Sequence, residues 1–418
     1  MVAGVVLSLS AVVPVGAVPV SGSVSLPTVV SALAEGEGCV GASHRQARVE
    51  PWSVGALGLP RVWQFTEGAG VTVAVVDTGV GSSVPALSGR VTAVGDAGHD
   101  CVGHGSFVAG LIAAARTAGV GVAGVAPQVR VLAVRGTDER GVASAGLVAD
   151  GIRSAVEGGA GVVYVGAALA RRSGALTDAV AFAARHDVLV VAPAVPDSLP
   201  LPAGGAGAAP AVKPYYPAFT ATVLSVEDYG ADGARPSAAP DVFAADLAAP
   251  GDAVVSVGPR GDGYYVGSGA SFAAAMVAGT AALVRAYHPR MTSSEVSRQI
   301  TATGYPGAVP LLDPYAAVSA VPGGTRAARA PAEPARMAGP APAGPLYRAV
   351  VVAAVGALVV LLVAAIAVVG PRGRARGWRP ADGAPGPPRT SADTAENTSG
   401  PDIVRSPTTN GRHTEDAA

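Results

Sequence analysis

The sequence predicts an α/β fold: a parallel β-sheet sandwiched by helices, followed by one C-terminal transmembrane helix. Three observations predict it. Short β-branched runs at 71–76, 129–134, 161–165, 188–192, 222–226 and 253–257 alternate with Ala-rich stretches of helical length near 105–117, 142–157, 174–185 and 271–287. Those runs are continuously apolar, as in strands buried on both faces. Finally, Ala349 to Val369 is an uninterrupted apolar run of membrane-spanning length.

Taken in order, Met1 to Val20 is apolar and uncharged and reads as a signal-peptide core without the basic residues that usually precede one. Ala32-Leu33-Ala34 fits a small-x-small cleavage site, so 1–34 is read as a leader and 35–54 as an N-terminal extension. The large domain spans 55–320. Residues 321–347 are rich in Ala, Pro and Gly and read as a semi-stiff linker. The apolar helix over 348–370 is followed at once by Arg372, Arg374, Arg376 and Arg379, against Arg348 alone at its other end. The positive-inside rule then puts the 371–418 tail in the cytoplasm and the large domain outside, on a single-pass cell-membrane protein. The tail is polar and Pro-rich, a composition that predicts disorder.

Of the 418 residues half are apolar, 14% are charged, and the net charge is −1. Nothing there calls for nucleic acid as a partner. Cys39 and Cys101 are the two cysteines. In an exported chain such a pair is most simply one disulfide, with two free thiols as the alternative.

Three stretches carry chemistry. Asp77 ends the first strand in Val-Ala-Val-Val-Asp77-Thr78-Gly79, where right-handed crossovers gather the loops into one crevice. Alone, it is an ordinary Asp-x-Gly turn. His104 sits in Gly103-His104-Gly105-Ser106, a glycine turn entering a small-residue helix, where a lone histidine is more often a cap. Ser271 follows Gly267-Ser268-Gly269-Ala270 at the start of an apolar helix, where free N–H groups and the helix dipole would stabilise an oxyanion. Alone, it is an N-cap serine. Together, in the order Asp, His, Ser, they supply an orienting carboxylate, a base and a nucleophile. Two other chemistries are weaker. A metal cluster of His99, Asp100, Cys101 and His104 would compete with the disulfide, and an aspartic protease on Asp77-Thr78-Gly79 would need a second copy of that motif. Neither a metal nor another cofactor is therefore expected.

These blocks, with Leu247-Ala248-Ala249-Pro250-Gly251, resemble the subtilisin-like serine proteases (subtilases) over roughly 55–320. Within them the chain is most similar to the mycosins, membrane-anchored subtilases of type VII secretion systems. That likeness rests on Asp100-Cys101-Val102-Gly103-His104-Gly105, Cys39, the extension before Pro51-Trp52 and the C-terminal span. It implies a subtilisin-like fold, a catalytic set of Asp77, His104 and Ser271, an extension held to the domain by the disulfide, a peptide or protein substrate, and a place in a secretion membrane complex.

One expected part is missing. Subtilases carry an oxyanion-hole asparagine after a core strand, whereas Val188 to Ala192 is followed here by Pro193-Ala194-Val195-Pro196-Asp197. The asparagine position falls at or near Pro196, which has no donor, and an ionised Asp197 would repel an oxyanion. Ala270 and Ala275 replace the usual Thr and Pro around the serine. Gly166-Ala167-Ala168 departs from the usual groove residues, and no asparagine occurs before residue 390. Two functions follow: a mycosin-like serine endopeptidase with a non-standard oxyanion hole, or a weakly active or inactive membrane-tethered component stabilising the secretion complex.

Overall fold

The structure is a computed structural model that describes residues 25–47, 49–117, 121–199, 212–321 and 344–377. Most of the leader, the linker and the tail read from the sequence lie outside the described residues. The chain forms two units, Met1–Ala327 and Ala328–Ala418.

In the first unit, strands β1 (Thr72–Asp77), β2 (Val91–Ala93), β3 (Arg130–Arg135), β4 (Val162–Val165), β5 (Leu189–Pro193), β6 (Val223–Tyr229) and β7 (Leu247–Pro250) form one sheet in the order β2-β3-β1-β4-β5-β6-β7. Every pairing in it is parallel. Strands β8 (Val254–Val257) and β9 (Tyr264–Gly267) form a separate antiparallel hairpin. The helices are α1 (Trp52–Ala56), α2 (Leu59–Val62), α3 (His104–Ala113), α4 (Ala145–Glu157), α5 (Gly174–Arg185), α6 (Ala270–Tyr287), α7 (Ser293–Thr303) and α8 (Pro314–Ser319).

The period of two along each strand divides the core. Val73 and Val75 of β1, Val162 and Tyr164 of β4, and Leu189 and Val191 of β5 face the layer that holds α3 and α6. Ala74 and Val76, Val163 and Val165, and Val190 and Ala192 face α4 and α5. Both faces are covered, so the strands need no polar side, which is why they read as unbroken apolar runs. One expectation fails. The run at 253–257 looks like another sheet strand, but Ala253 has φ 48° and the chain turns there into the hairpin. The sequence reading also passed over β2, β7 and β9. Each is only three or four residues long, and β2 is largely exposed.

The extension is stitched to the domain. Cys39 is bonded to Cys101. Beside the bond, the Val40 N–H donates to the Cys101 carbonyl at 2.8 Å, the Tyr265 hydroxyl donates to the Gly41 carbonyl at 2.6 Å, and the Trp52 indole N–H donates to the Asp252 carbonyl at 3.1 Å.

The second unit contains α9 (Gly344–Ala375). Its segment Arg348–Gly373 has a mean hydropathy of 3.1 with none of that window buried, and it is long and apolar enough to cross a membrane. Helix α6 passes the same length and composition test, but 83% of it is buried, which marks it as a core helix.

A disulfide closing a loop with sequence separation 62 removes about 4 kcal/mol of unfolded-chain entropy. Cys39→Ser is therefore expected to lower the melting temperature and to expose the 35–47 stretch to limited proteolysis, and reductant should do the same to the wild type. Identical digestion patterns with and without reductant would contradict this.

Candidate active site

Asp77 ends β1, the strand at which the sheet order reverses between β3 and β4. Loops from both sides of the sheet converge there. Its side chain is 3% exposed. One oxygen accepts the Thr78 N–H at 2.7 Å, and both oxygens lie 2.9 Å from Nδ1 of His104. A Cβ at Gly166 would overlap this carboxylate, so the end of β4 has to be glycine.

His104 is the first residue of α3. The preceding Gly103 has φ 94°, a left-handed conformation that glycine adopts without strain. The imidazole rests on Phe272, with ring centroids 5.1 Å apart. Its Nε2 is 3.1 Å from Oγ of Ser271, the second residue of α6. The structure thus brings Asp77, His104 and Ser271 into one line of hydrogen bonds, all buried. Three residues scattered over almost two hundred positions meet because the carboxyl end of β1 and the first turns of α3 and α6 share one layer.

Asp100, which in the sequence belongs to a family motif and to a nominal metal cluster, has a structural role. It is 2% exposed. Its oxygens accept from the Thr78 hydroxyl (2.9 Å), the Gly103 N–H (2.7 Å), the Ser106 N–H (2.9 Å) and the Ser106 hydroxyl (2.6 Å). Thr78 in turn accepts the Gly105 N–H at 2.9 Å. Asp100 therefore ties the Asp77-Thr78 turn to the first turn of α3 and fixes the distance across which His104 meets Asp77. Its place four residues before a helix-opening histidine was the signal available in the sequence.

After β5 comes the stretch at or near Pro196 where the sequence places the missing asparagine. The side chain at the nucleophile is that of Asp197, not Pro196. Its Oδ1 accepts the Ser271 N–H at 2.9 Å, its Oδ2 accepts the Ser271 hydroxyl at 2.7 Å, and Oδ2 is 3.2 Å from Nε2 of His104. Gly269 makes room for it, since a Cβ there would overlap the Asp197 carboxylate. Two further neighbours were missed. The Tyr164 hydroxyl is buried beside Ser271, which it approaches without forming a hydrogen bond of good geometry. Burial first, then the charges of Asp77 and Asp197, push its pKa well up, so it stays neutral. Ser31 also donates to Asp197 Oδ2, at 3.3 Å. It lines the pocket beside the site with Asp77, His104, Ala167, Ala168 and Leu169.

His104 has a carboxylate at each ring nitrogen. Burial is the largest influence and lowers its proton affinity. The charge of Asp77, the hydrogen bonds to Asp197 and Asp77, and the charge of Asp197 outweigh it, leaving the pKa well above the usual histidine range. Its two carboxylate neighbours thus favour the protonated ring relative to a free histidine.

Comparison with known proteins gives a consistent picture. Residues 68–329 match the family model of the subtilase family, Peptidase_S8. The chain is 31% identical over 339 residues to Mycosin-4 of Mycobacterium tuberculosis (strain ATCC 25618 / H37Rv), covering 68% of this chain and 72% of that protein. It is 32% identical over 270 residues to Thermitase of Thermoactinomyces vulgaris, covering 62% and 92%. Among solved structures, it is similar to the MycP3 protease from the type VII (ESX-3) secretion system, with TM-score 0.57 and 29% identity over 68% of this chain and 91% of that one. A chain in the periplasmic assembly from the ESX-5 inner membrane complex matches with TM-score 0.59 and 25% identity, covering 75% and 97%.

Two outcomes are expected of this geometry. Asp100→Ala leaves the donors on Thr78, Gly103 and Ser106 without their acceptor and should cost about 3 kcal/mol in denaturant unfolding. An unchanged midpoint would deny Asp100 its anchoring role. Separately, a histidine whose folded pKa is raised stabilises the fold fully below its unfolded value and loses that stabilisation as pH rises through the folded value. Unfolding free energy should therefore fall from neutral toward alkaline pH in the wild type, and His104→Gln should flatten that slope.

Proposed function

The chain belongs to the subtilase family, on its mycosin branch, and from that premise we propose that it is a membrane-anchored serine endopeptidase serving a type VII secretion complex. The observation that carries the proposal is the buried run from Asp77 through His104 to Ser271, with contacts of 2.9 and 3.1 Å. In this reading Ser271 Oγ attacks the scissile carbonyl of a peptide substrate, and its proton passes to Nε2 of His104. Asp77 holds Nδ1–H and the ring orientation, and His104 then delivers the proton to the leaving amine. The pocket lined by Ala167, Ala168 and Leu169 would hold substrate residues.

Anchoring and partners follow from the same footing. The apolar segment Arg348–Gly373 would span the membrane once, with the peptidase domain outside and the arginines that follow in the cytoplasm. Likeness to a chain of an inner-membrane secretion assembly supports a place in such a complex. A purely structural component without proteolysis is less well supported, because the relatives include structures described as proteases and the three side chains are in bonding distance here.

The test is labelling of the full chain in detergent by a fluorophosphonate serine probe. Labelling should be lost in Ser271→Ala and reduced by about 10³-fold or more in His104→Ala. A folded wild type that never labels, or labelling that survives Ser271→Ala, would refute the assignment.

A further inference from the structure

The Asp197 carboxyl occupies the place that an oxyanion needs. It takes the Ser271 N–H at 2.9 Å and the Ser271 hydroxyl at 2.7 Å, and it lies 3.2 Å from the base. An ionised carboxylate there cannot help catalysis: it occupies the donor meant for the developing charge, repels that charge, and draws the serine proton away from His104. A neutral carboxylic acid at the same point has the opposite effect, because it carries an O–H donor. Carboxylic acids kept neutral in order to donate a hydrogen bond are an established catalytic device.

Resting on the endopeptidase reading, we propose that Asp197 is a further catalytic residue, the side-chain donor of the oxyanion site, and that it works only when protonated, sharing a single proton with His104. The proton is already present. Its transfer from Nε2 of His104 to Oδ2 of Asp197, across 3.2 Å, changes an imidazolium–carboxylate pair into a neutral imidazole and a carboxylic acid. The pair's net charge is unchanged. In that form Ser271 Oγ bonds to the substrate carbonyl carbon as the C=O π pair moves onto oxygen, and the serine proton goes to Nε2. For this the Asp197 carboxyl must give up the Ser271 N–H that it accepts in the structure, and the oxyanion then takes that N–H together with the Asp197 O–H. When the C=O bond reforms, the C–N bond breaks and the amine leaves with the proton from Nε2. Asp197 keeps its proton throughout, while His104 alternates between imidazole and imidazolium as it takes the serine proton and hands it to the leaving amine.

The groups that face Asp197 are consistent with this exchange. From α3 comes His104, backed by Asp77 on β1. From β4 comes Tyr164, held neutral by burial and by the charges of Asp77 and Asp197. From α6 comes Ser271, and from the N-terminal stretch ahead of the extension the Ser31 hydroxyl, both uncharged donors. Asp228 on β6 is paired with Arg235 at 3.2 Å, and burial, the largest influence, raises its pKa despite that partner. Among these described neighbours His104 is the only one bonded to Asp197 that can exchange a proton with it.

Activity should then require exactly one shared proton on the pair: too few at alkaline pH, too many in acid, giving a bell-shaped profile. The experiment measures kcat/KM on fluorescein-labelled casein, and fluorophosphonate labelling rate, against pH. It uses the full chain in detergent, as wild type, Asp197→Asn, Asp197→Ala and Ser271→Ala. Asparagine is a donor that needs no proton, so Asp197→Asn should lose the alkaline decline and exceed wild type there by about 10²-fold. Asp197→Ala has neither charge nor donor. It should also lose the decline, but at a level about 10²-fold below Asp197→Asn, and it keeps the comparison open if Asp197→Asn fails to fold. Wild type, Asp197→Asn and Asp197→Ala following the same rising, Ser271-dependent profile would overturn the role of Asp197 and leave the endopeptidase reading standing. Absence of Ser271-dependent activity in all forms at every pH would overturn both.

Discussion

A buried carboxylate at the end of β1 sets the terms for everything around it. Asp77 is almost wholly enclosed, and an uncompensated charge there would be costly enough to prevent folding. The chain compensates in three ways. It supplies the Thr78 N–H, it brings the His104 ring against both oxygens, and it removes the side chain at Gly166 so that β4 can end beside the carboxylate. Asp100 then locks the two turns that bear Asp77 and His104 to one another. The site is therefore part of the fold's polar core, and its geometry is as stable as the sheet that carries it.

Compensation goes further than a serine–histidine–carboxylate system requires. His104 meets a carboxylate on each side, which favours its charged form. That contact stabilises the fold and idles the base, since an imidazolium cannot accept the serine proton. Stability and turnover thus pull in opposite directions at one ring, as strained or mismatched active sites commonly require. The exchange of one proton with Asp197 reconciles them, because the stable and the reactive arrangements differ by a short transfer within an intact contact.

Much of this could be read in the sequence, for physical reasons. Strands buried on both faces leave unbroken apolar runs, and each of Asp77, His104 and Ser271 sits beside glycines that let a backbone turn sharply at a strand end or helix start. Asp197 was in view in the sequence as a residue that would repel an oxyanion. Which of Val195, Pro196 or Asp197 reaches the nucleophile depends on how the chain leaves β5, and counting from the strand narrows it only to the neighbourhood of Pro196. Asp100 was hidden because a carboxylate satisfied by backbone N–H groups looks, in sequence, like one awaiting a metal. The hairpin at β8 was mistaken for a sheet strand because periodicity reports burial and not the partner across the ladder.

The N-terminal region shows why a linear reading divides what folding joins. Pro27 and Val29 pair with Val266, and Leu33 with Arg140, so the stretch between them passes over the pocket and delivers Ser31 to Asp197. Farther on, Cys39 is bonded to a residue three positions before His104. The two attachments have different fates. A cut after Ala34 removes Ser31 and its hydrogen bond but leaves the disulfide, and a change of redox state does the reverse. One short piece of chain therefore touches the site twice, at Asp197 through a hydrogen bond and at the loop before His104 through a covalent bond. The Ser31 hydroxyl donates to Oδ2 of Asp197 at 3.3 Å, the same oxygen that takes the Ser271 hydroxyl and faces Nε2 of His104, so the N-terminal stretch helps to set where that oxygen sits.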